Sequence, residues 1–369
     1  MFSSSRFASL ITYREFVAAE IGEGESGIDP APCIFPDVYL SSSCLQKALR
    51  RGEGAFALAA GRHLLRFDED RLWRRLCVCV FEDFGLVNLE MTARVVAVCQ
   101  SKSFRLVQGQ GQVLSYVIGL LCALPKDRRL DDLYALGVGS FADRSRQKLL
   151  ESGEQGAVLA PLVHEAARLI ALCERPIPRR SYRTLSISGC DHALAQMARQ
   201  EGADQALLEI CRVGMRVSKC LLPLLLPLAL SATKASAETG IVMHHRLPVM
   251  PQVNGIPAYA FDGFTRAGRA ILVRLAAHEP RLANLLNGLP SAARLDVLHH
   301  LLFFAEGARV DRLLSDPLSR GLNIYAVALG ARLPQPEADQ AVELMERCLP
   351  VIHALRGVLP LPNPPEDLS

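Results

Sequence analysis

The sequence lacks the phosphate-binding loop on which P-loop nucleotide hydrolases depend. Its one glycine-rich stretch, residues 22–27, is followed by Ile28 and Asp29. A phosphate loop instead needs a lysine and a hydroxyl residue after its last glycine, so that both can reach the phosphates and their metal. The pattern Gly-x4-Gly-Lys-Ser/Thr occurs nowhere else in the chain. We therefore interpret residues 22–27 as a loop and expect no ATP turnover by this chain alone.

No Cys-x-x-Cys pair occurs among the eleven cysteines. Several of them fall within apolar helical patterns, where cysteine behaves as a small core residue. Those with the clearest pattern are Cys77, Cys79, Cys99 and Cys122. This usage is typical of a protein in a reducing environment, and it predicts a cytoplasmic location.

The chain also lacks an obvious membrane or export segment. Residues 1–9 contain no continuous apolar core of a secretory signal. The most hydrophobic run, residues 220–232, contains Pro223 and Pro227 and is shorter than the ~20 residues that a transmembrane helix needs. We interpret it as a buried, proline-kinked helix and expect no membrane partner.

Neither sign of charge dominates. The chain has 41 Lys and Arg residues against 38 Asp and Glu residues, a formal net charge of +3. Its surface is therefore not that of a protein that coats nucleic acid over its whole area, and any nucleic-acid contact must be local. The 369 residues, half of them hydrophobic, exceed one typical core and predict two folded parts.

The clearest feature that is present is a helix predicted over residues 68–84. Asp68 can accept a backbone N–H at its start, and Gly85 can adopt the left-handed conformation that ends many helices. Five apolar residues recur at three- and four-residue steps and line one face: Trp73, Leu76, Cys77, Val80 and Phe84. The capping residue Asp68, the apolar spacing and the terminating Gly85 together predict a helix with one face buried in a core.

Two carboxylates are out of place at the end of this helix. Glu82 and Asp83 lie in its last turn, where the helix dipole disfavours negative charge, so we expect basic neighbours to compensate them. Adjacent helical residues point about 100° apart and do not converge on one substrate atom, which makes catalysis by this pair the least favoured interpretation. Arg74 and Arg75 have two interpretations: pairing with carboxylates of neighbouring helices, or contact with phosphate or a partner.

The apolar periodicity of the rest predicts an all-α fold, a multi-helical stack of short antiparallel helices in two subdomains. The predicted parts are an N-terminal helix and loop (1–42), a first helical domain (43–174), a linker (175–184), a second helical domain (185–358) and a disordered tail (359–369). One short helix is predicted over residues 311–314. The irregular stretch 240–263 is the one place where a strand pair is expected.

The linker carries the densest basic patch. Residues 174–183 hold two prolines and four arginines. The patch consists of Arg175, Arg179, Arg180 and Arg183, with Tyr182 among them. Guanidinium groups contact phosphates and an aromatic ring can stack on a base, so this patch is a candidate nucleic-acid or partner surface. A solvated connection between domains is the other interpretation.

Part of the first helical domain resembles a known family. The residues are Ala-Leu-Arg-Arg-Gly-Glu at 48–53, Leu-Ala-Ala at 58–60 and Leu-Trp-Arg-Arg-Leu at 72–76, leading into Phe-Glu-Asp-Phe-Gly-Leu at 81–86. They are similar to the C-terminal collar of the replication-associated recombination ATPases, relatives of the clamp loaders. In that family a small helix pair precedes an RRL…EDIG helix, and here Phe84 stands where the family has isoleucine.

The resemblance covers about residues 43–136, a quarter of the chain. Members of the family are AAA+ ATPases that tetramerise through the collar and act on DNA at stalled forks. The ATPase module has no counterpart in this sequence. The resemblance therefore implies collar-like helix packing and self-association, with DNA or a partner ATPase as partners, and it does not imply ATP turnover.

Other candidate sites have a structural interpretation beside the functional one. His244-His245 and His299-His300 could each give one ligand to a metal, but adjacent side chains rarely chelate together, so core or surface histidines are the simpler interpretation. The pair Cys190 and His192 lacks an orienting third group for nucleophilic catalysis. The aromatic-rich residues 255–266 form either a binding edge or a plug for the core.

Two functional hypotheses follow. The first is a non-enzymatic helical oligomerisation or adaptor protein that needs no cofactor or metal and is an accessory in DNA replication or recombination. The alternative is an enzyme of unrecognised, hydrolase-like type, with its site in the loop 240–266 and with His244, His245 and Asp262 as its candidate residues.

Overall fold

Helices dominate the molecule. The computed structural model describes residues 8–23, 27–142, 154–176, 183–200, 203–235 and 240–358. These residues are 75% helical and their strands are short, which confirms the all-α prediction. The predicted tail 359–369 lies outside the described residues.

The first eight helices form the N-terminal part of the stack. They are α1 (Leu10–Glu23), α2 (Val38–Arg51), α3 (Gly54–Phe67), α4 (Glu69–Asp83), α5 (Leu89–Gln100), α6 (Lys102–Gln108), α7 (Gln110–Ala123) and α8 (Arg129–Ala142). Polar residues cap several of them: Asp37 Oδ1, for example, accepts the backbone N–H groups of Tyr39 and Leu40 at the start of α2. α2 and α3 form an antiparallel pair, and α4 packs against both.

The other nine helices complete the stack. They are α9 (Glu154–Cys173), α10 (Ile187–Ala198), α11 (Gln205–Ser218), α12 (Leu222–Ala235), α13 (Arg266–His278), α14 (Pro280–Asn287), α15 (Ser291–Leu302), α16 (Pro317–Ala331) and α17 (Gln335–Gly357). A turn of π-helix, Phe303–Gly307, continues α15. Three antiparallel strand pairs join neighbouring segments: β1 (Glu174–Pro176) with β2 (Arg183–Leu185), β3 (Ile241–His244) with β6 (Arg312–Ser315), and β4 (Gln252–Val253) with β5 (Ile256–Pro257).

The strands correct two predictions. The expected strand pair within 240–263 is present as β4 and β5, but the linker also holds a pair, β1 and β2. The helix predicted over 311–314 is wrong, because Arg312–Ser315 forms β6. Pairing with other segments favours the strand, because β6 pairs with β3 along its length. In addition, Lys126 N–H donates to the Arg312 carbonyl oxygen at 2.7 Å, and Leu314 N–H donates to the Lys126 carbonyl oxygen at 2.8 Å. Four residues offer too little local helical stability to compete with such pairing.

The helix predicted over 68–84 is α4, and its apolar face is buried as expected. Asp68 caps it by accepting the N–H of Arg71 at 3.0 Å. The role predicted for Gly85 is wrong, because Gly85 has no positive φ and the helix ends at Phe84 with φ −137°. Glycine fits here for a different reason: a Cβ at this position would lie 3.0 Å from Leu130 Cδ1 and 3.3 Å from the Phe81 carbonyl oxygen.

Two apolar cores hold the stack together. The larger one gathers buried residues from Tyr13 to Phe261 and also takes in Leu322 and Ala326 of α16. The smaller one lies among α13 to α17, with Ile271, Leu298 and Ile352 among its members. The domain boundaries predicted at 43–174 and 185–358 stay predictions. What matters for the site is that α16 contributes to both cores and so lies where they meet.

One helix, α9, is long and apolar enough over Gly156–Cys173 to span a membrane, and 44% of that window is buried within the protein. α6 and α7 meet the same criterion only as a pair bent by 101°. Buried core helices of soluble proteins have the same length and composition, and α9 packs closely on α8. The expected lack of a membrane partner stays a prediction.

Candidate functional site

A cleft of about 770 Å³ opens where the two cores meet. One wall is formed by α2 and α4 and the other by α15, its π-helical turn and α16, while α8 and the start of α12 close the end. The apolar part of the lining includes Val78, Leu222, Phe303, Phe304 and Leu329. A cavity of this size and mixed polarity is the default place to look for ligand or partner binding.

Arg50 occupies the base of the cleft and is buried there. Its Nε donates to Asp83 at 2.8 Å, one terminal nitrogen donates to Glu82, and the other donates to the Gly307 carbonyl oxygen at 3.1 Å. Gln46 also donates to Glu82, at 2.6 Å. The basic partners expected for the two carboxylates at the end of α4 are therefore present, and Arg50 is the principal one.

Arg128 completes this cluster from the start of α8. It donates to Asp83 at 2.5 Å and also to Asp131 in the first turn of α8. The guanidinium groups of Arg50 and Arg128 lie 5.4 Å and 5.1 Å from the centre of the Phe303 ring, within cation–π distance. We call these residues (Arg50, Glu82, Asp83, Arg128 and Asp131) the Arg50 cluster.

Two further buried ion pairs flank the cleft. Lys47 pairs with Asp262, and Ser43 bridges them by accepting from Lys47 at 2.9 Å and donating to Asp262 at 3.0 Å. Behind them, Arg356 at the end of α17 binds Glu306 at 2.7 Å and 2.8 Å. Burial raises the pKa of Glu306, but Arg356 and His353 oppose it and the net result is a pKa lowered to about 2. These pairs hold α2 against the segment before α13, and α17 against the π-helical turn.

The two carboxyl groups in the first turn of α8, those of Asp131 and Asp132, have raised pKa values, unlike that of Glu306. Burial raises the pKa of Asp131 to about 7, against the opposing charge of Arg128. Burial likewise raises the pKa of Asp132 to about 6, although Arg128 lies nearby and Asn323 donates to it at 3.3 Å. The Asp131 side chain pairs with Arg128 and remains 24% exposed at the cleft.

The mouth of the cleft is basic. Arg71 stacks over the Tyr39 ring at 4.6 Å and pairs with Asp68 at 2.8 Å. Arg75, one turn further along α4, donates only to neutral groups, Ser42 Oγ at 3.1 Å and Gln46 Oε1 at 3.4 Å. Arg75 is therefore a cation that faces the cleft without a carboxylate partner among the described residues.

The residues predicted from the sequence are not all brought together. Of the pair on α4, Arg75 faces the cleft, whereas Arg74 is exposed and does not line it. Arg175 and Arg183 lie on the paired strands β1 and β2. Arg179, Arg180 and Tyr182 lie outside the described residues, so the linker patch stays a prediction.

The candidate residues of the loop 240–266 separate in space. Asp262 lines the cleft, whereas His244 lies opposite Arg312 in the β3–β6 pair and His245 lines a second cavity beside α16. His299 and His300 both line the cleft. Among the described residues, no group of three or more His, Cys, Asp or Glu side chains is arranged to hold a metal ion.

Sequence reasoning missed the two central cations of the site. Arg50 lies in the last turn of α2, where a basic residue is already favoured by the helix dipole, so its position carried no special signal. Arg128 belongs to the run Lys126-Asp127-Arg128-Arg129 before α8, in which charges of both signs alternate. Such a run is typical of a solvated surface, whereas here all four residues are buried.

Comparison with known proteins finds no family model, no curated protein and no solved structure that matches the chain. The resemblance of residues 43–136 to a clamp-loader collar therefore remains an expectation that rests on the quoted residues alone.

Replacing Arg50 with alanine should destabilise the protein by about 3–5 kcal/mol, because it leaves Glu82 and Asp83 buried with too little compensating charge. Urea denaturation followed by circular dichroism measures the loss. Arg62→Ala is the matched control, since Arg62 is exposed, and it should change the free energy of unfolding by no more than about 0.5 kcal/mol. Equal effects of the two substitutions would contradict the role given to Arg50.

Replacing Asp132 with asparagine should stabilise the protein increasingly as the pH rises. The pKa of Asp132 is raised from 3.8 to about 6 by folding, so its contribution to stability is present below pH 3.8 and is lost as the pH rises through 6. The contribution of an asparagine side chain to stability does not depend on pH, because its amide does not titrate in this range. The advantage of Asp132→Asn over the natural protein should grow between pH 4 and pH 7, to at most about 3 kcal/mol.

Chemical denaturation at four pH values between 4 and 7 tests this expectation. Asp29→Asn, at an exposed position, is the control and should show no growing advantage. A stability difference for Asp132→Asn that stays constant over the range would show that burial of Asp132 does not shift its titration.

Proposed function

We propose that this protein is a non-enzymatic helical adaptor that associates with itself and serves as an accessory in DNA replication or recombination. The observation that carries self-association is a pair of adjacent apolar side chains on the short helix α6. Leu106 is 58% exposed and Val107 is 80% exposed, at the point where α6 and α7 meet at 101°. Exposed neighbouring apolar side chains of this size are typical of an interaction surface, and the proposed occupant is a second copy of the chain.

The Arg50 cluster supports a scaffold role rather than a chemical one. Glu82 and Asp83 accept hydrogen bonds from Arg50, Gln46 and Arg128, so both carboxylates serve to hold α2, α4 and α8 together. Removing either carboxylate would take away part of the negative charge that compensates the buried Arg50. The cleft above the cluster then has fixed walls, which suits the docking of a partner segment.

The accessory role in DNA transactions is supported by the resemblance of residues 43–136 to the collar of replication-associated recombination ATPases. In those proteins the collar assembles subunits around a common axis, and the part retained here would provide the same kind of contact. A partner ATPase would supply the nucleotide chemistry for which this chain has no phosphate loop.

Light scattering coupled to size exclusion tests self-association. We expect a mass above 40.3 kDa for the natural chain at high micromolar concentration. The double variant Leu106→Ser, Val107→Ser should shift to the monomer mass because it removes the apolar contact. Val249→Ser is the control at an isolated position that is 97% exposed, and it should leave the mass unchanged. A natural chain that remains monomeric would contradict the proposal.

A specific observation favours one alternative, a hydrolase-like enzyme. Asp131 is partly exposed in the cleft and has a pKa raised to about 7, the range in which a carboxyl can act as a general acid. Asp262 also lines the cleft and pairs with Lys47, as Asp131 pairs with Arg128. The pKa of Asp262 is lowered, however, because the effect of burial, which raises it, is outweighed by that of Lys47. The alternative site is therefore the cleft with Asp131, rather than the two histidines of the loop 240–266.

A screen against ester, phosphate, glycoside and peptide substrates tests the alternative. If the enzyme hypothesis holds, Asp131→Asn should lower any activity found by at least about tenfold, since general acid catalysis contributes 10²–10⁴-fold. His244→Ala and His245→Ala should leave it unchanged. Equal activity of all variants would remove Asp131 from the mechanism, and no activity of the natural chain would favour the adaptor.

A further inference from the structure

The helices α13 and α14, with the first turn of α15, form a second basic stretch, separate from the linker patch and from residues 43–136. Residues 263–295 contain five arginines and a single carboxylate, Glu279. The arginines are Arg266, Arg269, Arg274, Arg281 and Arg294. This stretch alone carries more positive charge than the whole chain, whose formal net charge is +3.

Three of these arginines share the outer face of α13. The inner face of the helix packs into the smaller core through Ile271, Leu272 and Leu275, which are buried. Arg266, Arg269 and Arg274 lie on the opposite side and are exposed. Because α13 is anchored by its apolar face, the three guanidinium groups are presented on a rigid support about 20 Å long.

None of the five arginines forms an ion pair with a described residue. Three arginines elsewhere in the chain behave differently: Arg168, Arg212 and Arg347 each pair with a glutamate three or four residues away. Glu279, the one acid within the stretch, uses its carboxylate to accept the backbone N–H of Arg281 at 3.2 Å. The positive charge of this surface is therefore not neutralised within the described protein.

An aromatic side chain stands next to these arginines. Phe264 lies two residues before α13 and is 70% exposed. Its ring meets His299 edge-on with 4.1 Å between ring centres, and Arg269 donates to the carbonyl oxygen of Gly263 at 3.0 Å. The first contact fixes the Phe264 ring at the rim of the cleft, and the second fixes the Arg269 side chain on the backbone next to Phe264.

We propose that the outer face of α13, with Phe264, binds single-stranded nucleic acid through its phosphate backbone, independently of sequence. Unpaired arginines supply the phosphate contacts and the exposed ring can stack on a base, which together form the usual basis of single-strand binding. The side chains between the arginines on this face, Ala270, Val273 and Ala277, are small, so a phosphate backbone can approach closely.

An anionic membrane surface would be the other polyanion to fit the charge. A membrane-binding helix needs large apolar side chains to insert between the headgroups. On α13 the large apolar residues Ile271, Leu272 and Leu275 are already buried in the core, and the surface offers only Val273, alanines and the single ring of Phe264. The surface therefore fits a nucleic acid better than a bilayer.

This inference rests on the accessory part of the proposed function and is independent of self-association. It locates nucleic-acid contact outside residues 43–136, on the helices that build the smaller core. Arg74, Arg75 and the linker patch, which the sequence alone suggests, become comparison sites in the test.

The test is fluorescence anisotropy with the full chain and a labelled oligothymidine of ~20 nucleotides, a length that exceeds typical single-strand sites. Titrations at several salt concentrations give the dependence of affinity on salt. The main variant is the triple substitution Arg266→Gln, Arg269→Gln and Arg274→Gln. The matched control, Arg168→Gln, Arg212→Gln and Arg347→Gln, removes the same charge from exposed arginines that have carboxylate partners.

We expect binding that weakens with salt, and a loss of at least about tenfold in affinity for the α13 variant at low salt. The slope of log affinity against log salt should decrease in magnitude by about 2, since each lost phosphate contact on a single strand contributes about 0.7. The control should bind like the natural chain. Phe264→Ala should weaken single-strand binding by about tenfold and leave duplex binding unchanged.

Absence of binding at low salt would overturn the inference, and so would equal losses of affinity in the α13 variant and the control. It would also be overturned if only the double variant Arg74→Gln, Arg75→Gln lost binding. Binding to phosphatidylserine vesicles without binding to the oligonucleotide would be the fourth contradicting result. Unchanged thermal melting of each variant confirms that its fold is retained. If the chain binds the oligonucleotide but light scattering shows it to be monomeric, the proposed α13 surface is supported and self-association is rejected.

Discussion

The structure depends on the burial of one guanidinium group. Arg50 keeps only 1% of its side chain exposed, and an isolated charge in such a place costs several kcal/mol of desolvation. The protein compensates by matching its donors to two carboxylates and one carbonyl oxygen: Asp83, Glu82 and Gly307. Because these acceptors belong to α4 and the π-helical turn, satisfying one cation fixes the positions of three elements and the base of the cleft.

The sequence indicated that such a compensation must exist, but it did not indicate its source. Glu82 and Asp83 in the last turn of a helix are an electrostatic conflict that can be recognised locally, and the expectation of basic neighbours is confirmed. Arg50 and Arg128 are 33 and 45 residues from Asp83. No periodicity connects residues at these separations, so their identity depends on the packing of α2 and α8 against α4.

Two of the wrong predictions, the left-handed cap at Gly85 and the helix over 311–314, have the same physical origin. A glycine after a helix favours a left-handed cap, yet Gly85 is suited to the close approach of Leu130, which local sequence does not show. Residues 311–314 were expected to form a helix, whereas β6 obtains its hydrogen bonds from β3, about 70 residues earlier, and from Lys126. Helices with ten or more residues and a clear apolar period, such as α4 and α11, were predictable because that period, which directs the helix into a core, is visible in the local sequence.

The basic surface of α13 shows why charge density in the sequence does not identify the arginines that lack carboxylate partners. The ten residues 174–183 hold four arginines and attract notice, whereas the arginines of α13 are spaced by three to five residues. Arg266, Arg269 and Arg274 form no ion pair with a described residue, and that depends on three-dimensional neighbours. The same criterion separates Arg75, which faces the cleft without an acid, from Arg71, which has one.

The contact between Arg50 and the π-helical turn Phe303–Gly307 can form only late in the synthesis of the chain. Arg50, Glu82, Asp83 and Arg128 all leave the ribosome before residue 130, but the carbonyl oxygen that satisfies the last donor of Arg50 belongs to Gly307. The nascent N-terminal helices therefore carry a guanidinium nitrogen whose native acceptor emerges some 180 residues later. Until then, water takes the place of the Gly307 carbonyl oxygen as the acceptor for this nitrogen.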